Sequence, residues 1–393
     1  MMWLKIIWAK VMYKKLNSFL CVLLMAFGIS IIALLLSLEK QMDGAFTKNI
    51  RGIDMVVGAK GSPLQLILSS VFQIDNPTGN VPLAEVNALK TNSQVKKVIP
   101  ISMGDNYKGF RIIGTQNSYI EHFEGKIKSG LSFQKPLEVV IGASVANDLG
   151  LKIGAEFEST HGLDAAGEAH EDHDHFTVVG ILDANGSPLD RLIITSLQSV
   201  WEVHHQDLDK PENLAVTAAL VKFRSPMGLM TIPRNINENT SMQAALPSIE
   251  IDRLLQLFGS GLSLAKYLAF LIILISAVSV FISIYNTIKE GKGEIALMIS
   301  LGANRWQLFT QFVGQGLVLG FLGYILGIFI SKFMLFVASV FLKEKLILAV
   351  GWLNLSNSEI YLLFLALLIS IFAAALPAIK VYGLNLSKTL ATE

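Results

Sequence analysis

Four apolar segments of this chain are long enough to cross a lipid bilayer as α-helices. A helix needs about 20 mostly apolar residues for this, because every backbone amide in the hydrocarbon core must find its hydrogen-bond partner inside the segment. The segments that meet this condition are residues 19–38, 265–288, 309–342 and 360–379. The hydrophobic content of 52% and the charged content of 16% agree with the pattern. The sequence therefore predicts an integral membrane protein with four transmembrane helices.

The third apolar segment is longer than a bilayer requires and contains Lys332. We expect this segment to be tilted or broken, with the Lys332 ammonium reaching the membrane interface. Glycines three or four residues apart predict close packing of the same segment against other helices, and they are Gly316, Gly320, Gly323 and Gly327. The four segments contain no Asp, Glu or Arg. Ion-coupled carriers place ionisable groups at mid-membrane, so this class of protein is not favoured.

Basic residues beside the spans predict the orientation of the chain. Residues 1–18, the loop of residues 289–308 and the tail of residues 380–393 all carry lysine or arginine, and such segments stay on the cytoplasmic side. Residues 41–264 then lie on the outer side of the cell membrane, as does the short loop of residues 343–359. Two lysines in that short loop run against the rule. Residues 1–18 are either an interfacial amphipathic helix or an ordinary basic flank, and we expect the first span to be retained rather than cleaved as a signal peptide.

The outer segment of residues 41–264 is long enough to form a domain with its own core. Short β-branched runs bounded by Gly or Pro predict strands at residues 53–57, 95–102, 110–114, 137–141, 176–182, 192–195 and 214–223. Helical patterns predict helices at residues 82–90, 144–149 and 197–204, the second capped by Ser144. The apolar run of residues 63–72 is either a buried core helix or an exposed surface that contacts lipid or a partner. The predicted fold class is therefore four membrane helices plus a large α+β extracytoplasmic domain.

Residues 153–190 form a predicted hairpin with a loop that is rich in histidine and acidic residues. This segment contains no lysine or arginine. Its candidate ligands for a divalent metal such as zinc are His161, His170, His173 and His175. The alternative is a solvated acidic loop that binds no metal. A metallopeptidase is not indicated, because the residue four positions after His170 is Asp174 rather than histidine.

Several other classes of function have no support in the sequence. The single cysteine, Cys21, cannot form an intrachain disulfide, and a net charge of +1 gives no sign of a nucleic-acid partner. Neither Gly-Lys pair is followed by Ser or Thr in a phosphate-binding loop motif. We therefore expect no enzymatic activity and no cofactor on this chain, apart from the candidate metal, and any ATP must be handled by a different chain.

Motifs in three regions of the chain resemble the FtsX/MacB-like (type VII) ABC transporter permease family. Residues 293–303 read GEIALMISLGA after the second span, Pro377 lies near the end of the last span, and one large outer domain follows the first span. Residues 138–142 and 176–182 also resemble strands of the family's outer domain. The resemblance implies an outer domain of the MacB periplasmic-core type and a stand-alone permease without a fused ATPase domain.

The resemblance also implies the role of the loop after the second span. In this family a coupling helix, here residues 289–308, docks on the ATPase; the matching residues are Glu290, Glu294, Met298, Gly302 and Arg305. The implied partners are two copies of an ABC ATPase subunit, a second permease in a homodimer or heterodimer, membrane lipid, and an envelope protein or lipoprotein. Nucleic acid is not among them.

The expected activity is mechanotransmission, in which ATP hydrolysis by the separate subunit changes the shape of the outer domain. This would serve to export or extract an envelope substrate such as a lipoprotein, lipid or peptide. Two alternatives stay open from the sequence. One is an FtsX-like regulator that activates an envelope hydrolase, and the other is metal-linked export or sensing through the histidine-rich loop.

Overall fold

The computed structural model describes residues 2–162, 175–204, 213–342 and 357–383. They fall into two compact units, a helical unit from residues 2–42, 258–342 and 357–383, and a domain unit from the described part of residues 43–257. The α-helices of the described residues are α1 (Met2–Tyr13), α2 (Lys15–Ile50), α3 (Pro63–Ser70), α4 (Leu83–Ala88), α5 (Asn117–His122), α6 (Ala143–Leu149), α7 (Leu197–Val203), α8 (Met227–Asn239), α9 (Pro247–Glu290), α10 (Lys292–Ser300), α11 (Arg305–Leu342) and α12 (Asn357–Ala378).

By length and composition, four helices of the described residues could cross a membrane: α2, α9, α11 and α12. Each contains or overlaps one of the four predicted spans. The third span is not broken, because α11 runs through 38 residues as one helix. Of the two predicted forms, the broken one is excluded and the tilted one stays a prediction. The glycines within it do not interrupt the helix because neighbouring helices pack against them, as described below.

The ammonium of Lys332, in the third span, has a different environment from the predicted one. Lys332 Nζ lies 2.5 Å from Glu359 Oε1, and the Glu359 side chain is only 2% exposed. We predicted Glu359 in the outer loop, but it lies in the first turn of α12. The Tyr324 hydroxyl donates a hydrogen bond to the Glu359 carbonyl oxygen at 3.1 Å. The Lys332 ammonium therefore pairs with a buried carboxylate, whereas we predicted that it would reach the membrane interface.

The domain unit is built on a mixed β-sheet. The described strands are β1 (Met55–Ala59), β2 (Val81–Pro82), β3 (Val95–Tyr107), β4 (Phe110–Thr115), β5 (Ile127–Gly130), β6 (Glu138–Ile141), β7 (Glu156–Glu158), β8 (Thr160–His161), β9 (His175–Leu182), β10 (Ile193–Ser196), β11 (Ala215–Val216), β12 (Ala218–Phe223) and β13 (Met242–Ala245). The main sheet has the order β13-β1-β12-β3-β4-β10-β6-β9-β5, with β7 paired to β9 and β8 to β3. The β10–β4 and β6–β9 pairs are parallel and the other pairs of this sheet are antiparallel.

Both faces of this sheet are covered by apolar side chains. Successive residues of a strand point to opposite faces, and in β1 Val56 joins one hydrophobic cluster while Met55 and Val57 join another. Helix α3 lies over the first of these faces, where Leu66 is 1% exposed and Ile67 is fully buried. The buried-core interpretation of residues 63–72 is therefore confirmed, and the exposed-surface alternative is wrong.

Six of the seven predicted strands are confirmed, with ends that differ by up to five residues, and with them the predicted α+β class. The predicted strand 214–223 is two strands, β11 and β12, which belong to different sheets. The short strands β2, β5, β7, β8 and β13 were not predicted. The predicted serine cap of α6 is wrong, because Gly142 occupies the N-cap position and no side chain caps this helix. A side chain at Gly142 would collide with the backbone of Leu189 and Asp190, so close packing determines this helix start.

Candidate functional site

The segment between the second and third spans contains one short helix, α10, in place of the predicted coupling helix over residues 289–308. Helix α9 ends at Glu290, α10 covers Lys292–Ser300, and α11 begins at Arg305. Gly302 follows α10 with a φ of 98°. Its amide donates to the Ile299 carbonyl at 3.0 Å, and the Ala303 amide donates to the Met298 carbonyl at 2.9 Å. This is a Schellman ending, which favours glycine because of the positive φ.

Contacts on both sides hold α10 against the helical unit. Ile295 is fully buried and Ala296 is 2% exposed. Glu290 accepts a hydrogen bond from Lys14 Nζ at 2.6 Å, and Arg305 Nη1 donates to the Tyr382 carbonyl oxygen at 2.5 Å. These contacts leave one face of α10 packed and the other open.

The open face of this segment is more apolar than the docking residues predicted from the sequence. Leu297 is 55% exposed, Leu301 is 80% exposed and Trp306 is 60% exposed. Large exposed apolar side chains in one segment are typical of surfaces that contact a protein partner or the membrane. We did not name these three residues from the sequence. Large apolar residues in a loop predicted to be cytoplasmic could have indicated a contact surface. We call Leu297, Leu301 and Trp306 the apolar docking face.

The five residues that the family resemblance indicated differ in exposure. Glu290, Glu294 and Gly302 are exposed, while Met298 and Arg305 are half-buried. Met298 packs against the apolar core of the helical unit. A role of these five residues in ATPase docking stays a prediction.

The four glycines of the third span lie against two different helices. A Cβ built on Gly316 would come within 2.5 Å of Ala374 Cβ of α12, and a Cβ on Gly320 would collide with Ser370 of the same helix. Cβ atoms on Gly323 and Gly327 would come within 2.7 Å of Met25 and 2.9 Å of Ala26 of α2. Small residues at these points let the helix backbones approach closely.

The histidine-rich loop lies mostly outside the described residues. His170 and His173 belong to residues 163–174, which the structure does not describe, and the side chain of His161 is not described either. His175 begins β9, where its Nδ1 lies 3.7 Å from Glu158 Oε1 of the paired strand β7. Among the described residues no group of three His, Cys, Asp or Glu side chains could hold a metal. Zinc binding by the loop stays a prediction.

A histidine–aspartate pair that we did not predict lies inside the domain unit. His204 Nε2 is 3.1 Å from Asp105 Oδ2, and the Asp105 side chain is 2% exposed. The hydrogen bond to Asp105 raises the pKa of His204 above its usual value, although burial acts in the opposite direction. No local sequence signal could have found the pair, because β3 and the end of α7 are far apart along the chain.

We expect His204 to titrate above pH 6.5, the usual histidine pKa. Because the pKa is raised in the folded state, the stabilisation by protonated His204 is complete below the unfolded pKa and is lost as the pH rises through the folded pKa. Histidine-selective NMR of the full chain in detergent checks this, with His204 assigned from its substitution by glutamine. The Asp105→Asn variant should lower the His204 pKa. A wild-type His204 pKa at or below 6.5 would contradict the pairing.

The fold and the site together define a membrane protein with an extracytoplasmic domain and a structured connector between its second and third spans. Two family models match the chain. The MacB-like periplasmic core domain matches residues 18–227, which is more than half of the chain, and the FtsX-like permease C-terminal domain matches residues 267–386. The chain belongs to the FtsX/MacB-like family of ABC transporter permeases, and the predicted family is confirmed.

One similar solved structure is the periplasmic region of MacB from Actinobacillus actinomycetemcomitans. It is 13% identical, covers 53% of this chain and 97% of that chain, and has a TM-score of 0.35. No curated protein matches the chain. The family assignment accordingly rests on the two family matches.

Proposed function

We propose that this chain is the permease subunit of an ABC transporter complex, in which a separate ATPase subunit binds the connector between the second and third spans. The observation that carries the proposal is the apolar docking face, with Leu301 80% exposed on a segment that is otherwise packed and capped. Glu290 and Glu294 are exposed on the same connector, and Glu290 is paired with Lys14. A partner with an apolar pocket would complement the apolar docking face.

The proposed action is mechanotransmission, in which ATP-driven closure of two ATPase subunits moves the membrane helices and changes the shape of the extracytoplasmic domain. Helix length supports this. Helix α9 has 44 residues and α2 has 36, whereas about 20 residues cross the hydrocarbon core. A helix transmits displacement along its axis because its backbone hydrogen bonds resist compression. The substrate class that suits such a device is a lipoprotein, lipid or peptide taken from the outer side.

Two permeases would be needed to accommodate two ATPase subunits, and they are either two copies of this chain or this chain with a related one. The exposed apolar residues of α9, including Leu271 at 52% and Val278 at 55% exposure, suit contact with lipid or a second permease. The proposal therefore includes a dimer without deciding its composition.

Cysteine labelling tests the membrane geometry that this function requires. A Cys21→Ser chain would carry a single new cysteine at Lys292 in α10 or at Lys128 in β5, both of which are exposed. In intact cells a membrane-impermeant maleimide should label position 128 and leave position 292 unlabelled until the membrane is permeabilised. Equal labelling of both positions in intact cells would contradict the proposed function.

A further inference from the structure

The domain unit contains a basic cavity that the proposed function does not use. Its volume is about 350 Å³, within the lower range of small-ligand sites. The side chains that matter are those of Lys48, Asn49, Arg51, His122, Glu124 and Lys222. They come from the end of α2, the end of α5 and strand β12, so the fold brings distant parts of the chain together here. We call this the basic cavity.

The charges around the basic cavity are unbalanced. Lys48, Arg51 and Lys222 are cationic and Glu124 is the one carboxylate among its lining residues, which leaves a net charge of +2 with His122 neutral. Burial lowers the pKa of His122, and the charges of Lys97 and Lys222 lower it further. Neutral His122 can still donate or accept a hydrogen bond. The cavity therefore favours a ligand with about two negative charges.

Two polar side chains of the basic cavity have atoms without a partner among the described residues. Asn49 is 4% exposed, and its Oδ1 has no hydrogen-bond partner there; the same holds for the buried Nε2 of His122. Buried polar atoms are nearly always hydrogen-bonded in folded proteins. The two amide orientations of an asparagine are interchangeable, so Asn49 can offer either its oxygen or its NH2 group. A bound group with both acceptor and hydroxyl oxygens would satisfy both side chains.

A glycine keeps the basic cavity open. Gly52 has a φ of 82°, which favours glycine. A Cβ at this position would come within 3.2 Å of His122 Cε1 and 3.4 Å of Lys222 Nζ. Because residue 52 is glycine, no side chain enters the space beside His122 and Lys222.

Stabilisation of the end of α2 is the competing explanation for the cations. Lys48 fits it, because a lysine in the last helical turn interacts favourably with the helix dipole, and its Nζ donates to the Asn185 carbonyl oxygen at 2.6 Å. Lys222 does not fit it, because it comes from β12. Neither Arg51 nor Lys222 has a side-chain hydrogen bond or ion pair within the described part of the chain. Arg51, which is exposed, and Lys222, which is half-buried, are therefore both available to bind an anion.

We propose that the basic cavity binds a phosphate group, with Arg51 and Lys222 as its charged ligands and Asn49 and His122 as hydrogen-bonding partners. Arginine and lysine are the usual side chains for phosphate recognition, and arginine can bind two phosphate oxygens at once. The phosphate belongs either to a lipid headgroup or to a small soluble molecule. This binding site is independent of the ATPase contact proposed above, and its test does not need that partner.

The test uses the full chain in dodecyl maltoside, which contains no phosphate. Calorimetric titration with inorganic phosphate measures the soluble source, and native mass spectrometry of retained phosphatidylglycerol measures the lipid source. The Arg51→Gln/Lys222→Gln variant should weaken binding of at least one probe by about tenfold or more, because two charged hydrogen-bonding partners are lost. A matched control, Lys96→Gln/Lys128→Gln, removes the same charge from exposed positions of the domain unit and should stay within about twofold of wild type.

A second variant separates loss of binding from loss of folding. Glu124→Gln removes the carboxylate among the lining residues and should tighten binding by about threefold, a gain that misfolding cannot produce. Phosphate binding that follows these variants identifies a soluble ligand, and phosphatidylglycerol retention that follows them identifies a lipid. The proposal is overturned if neither probe binds, or if the cavity variant and the control variant bind both probes alike.

Discussion

Replacing Leu297 and Leu301 by aspartate should remove the ATPase subunit from the purified complex. Both side chains are more than half exposed in the isolated chain, so the substitutions cost the permease little stability. Burial of a leucine side chain at a docked interface contributes about 1.5–3 kcal/mol, and a buried aspartate adds a desolvation cost. The double variant is expected to weaken binding by more than about 100-fold.

The measurement is the ATP hydrolysis that co-purifies with tagged permease from its own cells, normalised to the amount of permease. A matched control places aspartate at Leu131 and Ile153, which are 70% and 48% exposed in the domain unit. The control should retain wild-type ATPase activity. If the Leu297→Asp/Leu301→Asp variant retained it as well, the apolar docking face would not be the ATPase contact.

The Lys332–Glu359 pair should show the largest effect of a single substitution on stability. Glu359 is 2% exposed beside Lys332 Nζ at 2.5 Å. Replacing either residue by leucine leaves the other charge without its partner, and such changes destabilise proteins by about 3–5 kcal/mol. The Lys332→Leu/Glu359→Leu double variant should regain most of this loss, because neither charge then remains to be desolvated.

Thermal unfolding of the full chain in nanodiscs compares the stabilities of the four proteins in this double-mutant cycle. They are the wild type, the two single variants and the double variant. The more exposed Lys266–Glu39 pair, at the same 2.5 Å but with side chains 29% and 49% exposed, provides the control. Its single variants should lose only about 0–1 kcal/mol. If the double variant lost as much stability as the two single variants lose together, the two charges would not depend on each other.

The sequence was most informative where a pattern is local and periodic. The strands of the domain unit follow β-branched runs, and the six large apolar side chains of residues 63–72 favour burial in a core. It was least informative where a break between two helices changes which side chains of the second helix face the protein interior. The sequence predicted one coupling helix over residues 289–308, but the interruption at Gly291 separates α10 from α9. Met298 consequently packs inward and Leu297 faces out.

Contacts between elements that are distant in the chain were beyond the sequence. Glu359 was assigned to a loop because charge marks the end of an apolar run, and only the packing of α12 beside α11 shows that Lys332 neutralises it. The basic cavity likewise draws Arg51, His122 and Lys222 from three elements. Helix α8 was not predicted, because Pro233 lies inside it and proline normally interrupts a helical pattern.

The central claim is that ATP hydrolysis at the docked subunit changes the shape of the chain on the other side of the membrane. Pulsed EPR on the Cys21→Ser permease tests it, with spin labels at Lys128 of β5 and Leu264 of α9, both exposed, in nanodiscs with the co-purified ATPase. The account predicts that the distance distribution shifts when ATP and vanadate are added, and that the shift is absent in the Leu297→Asp/Leu301→Asp variant. An unchanged distribution in a complex that hydrolyses ATP would contradict it.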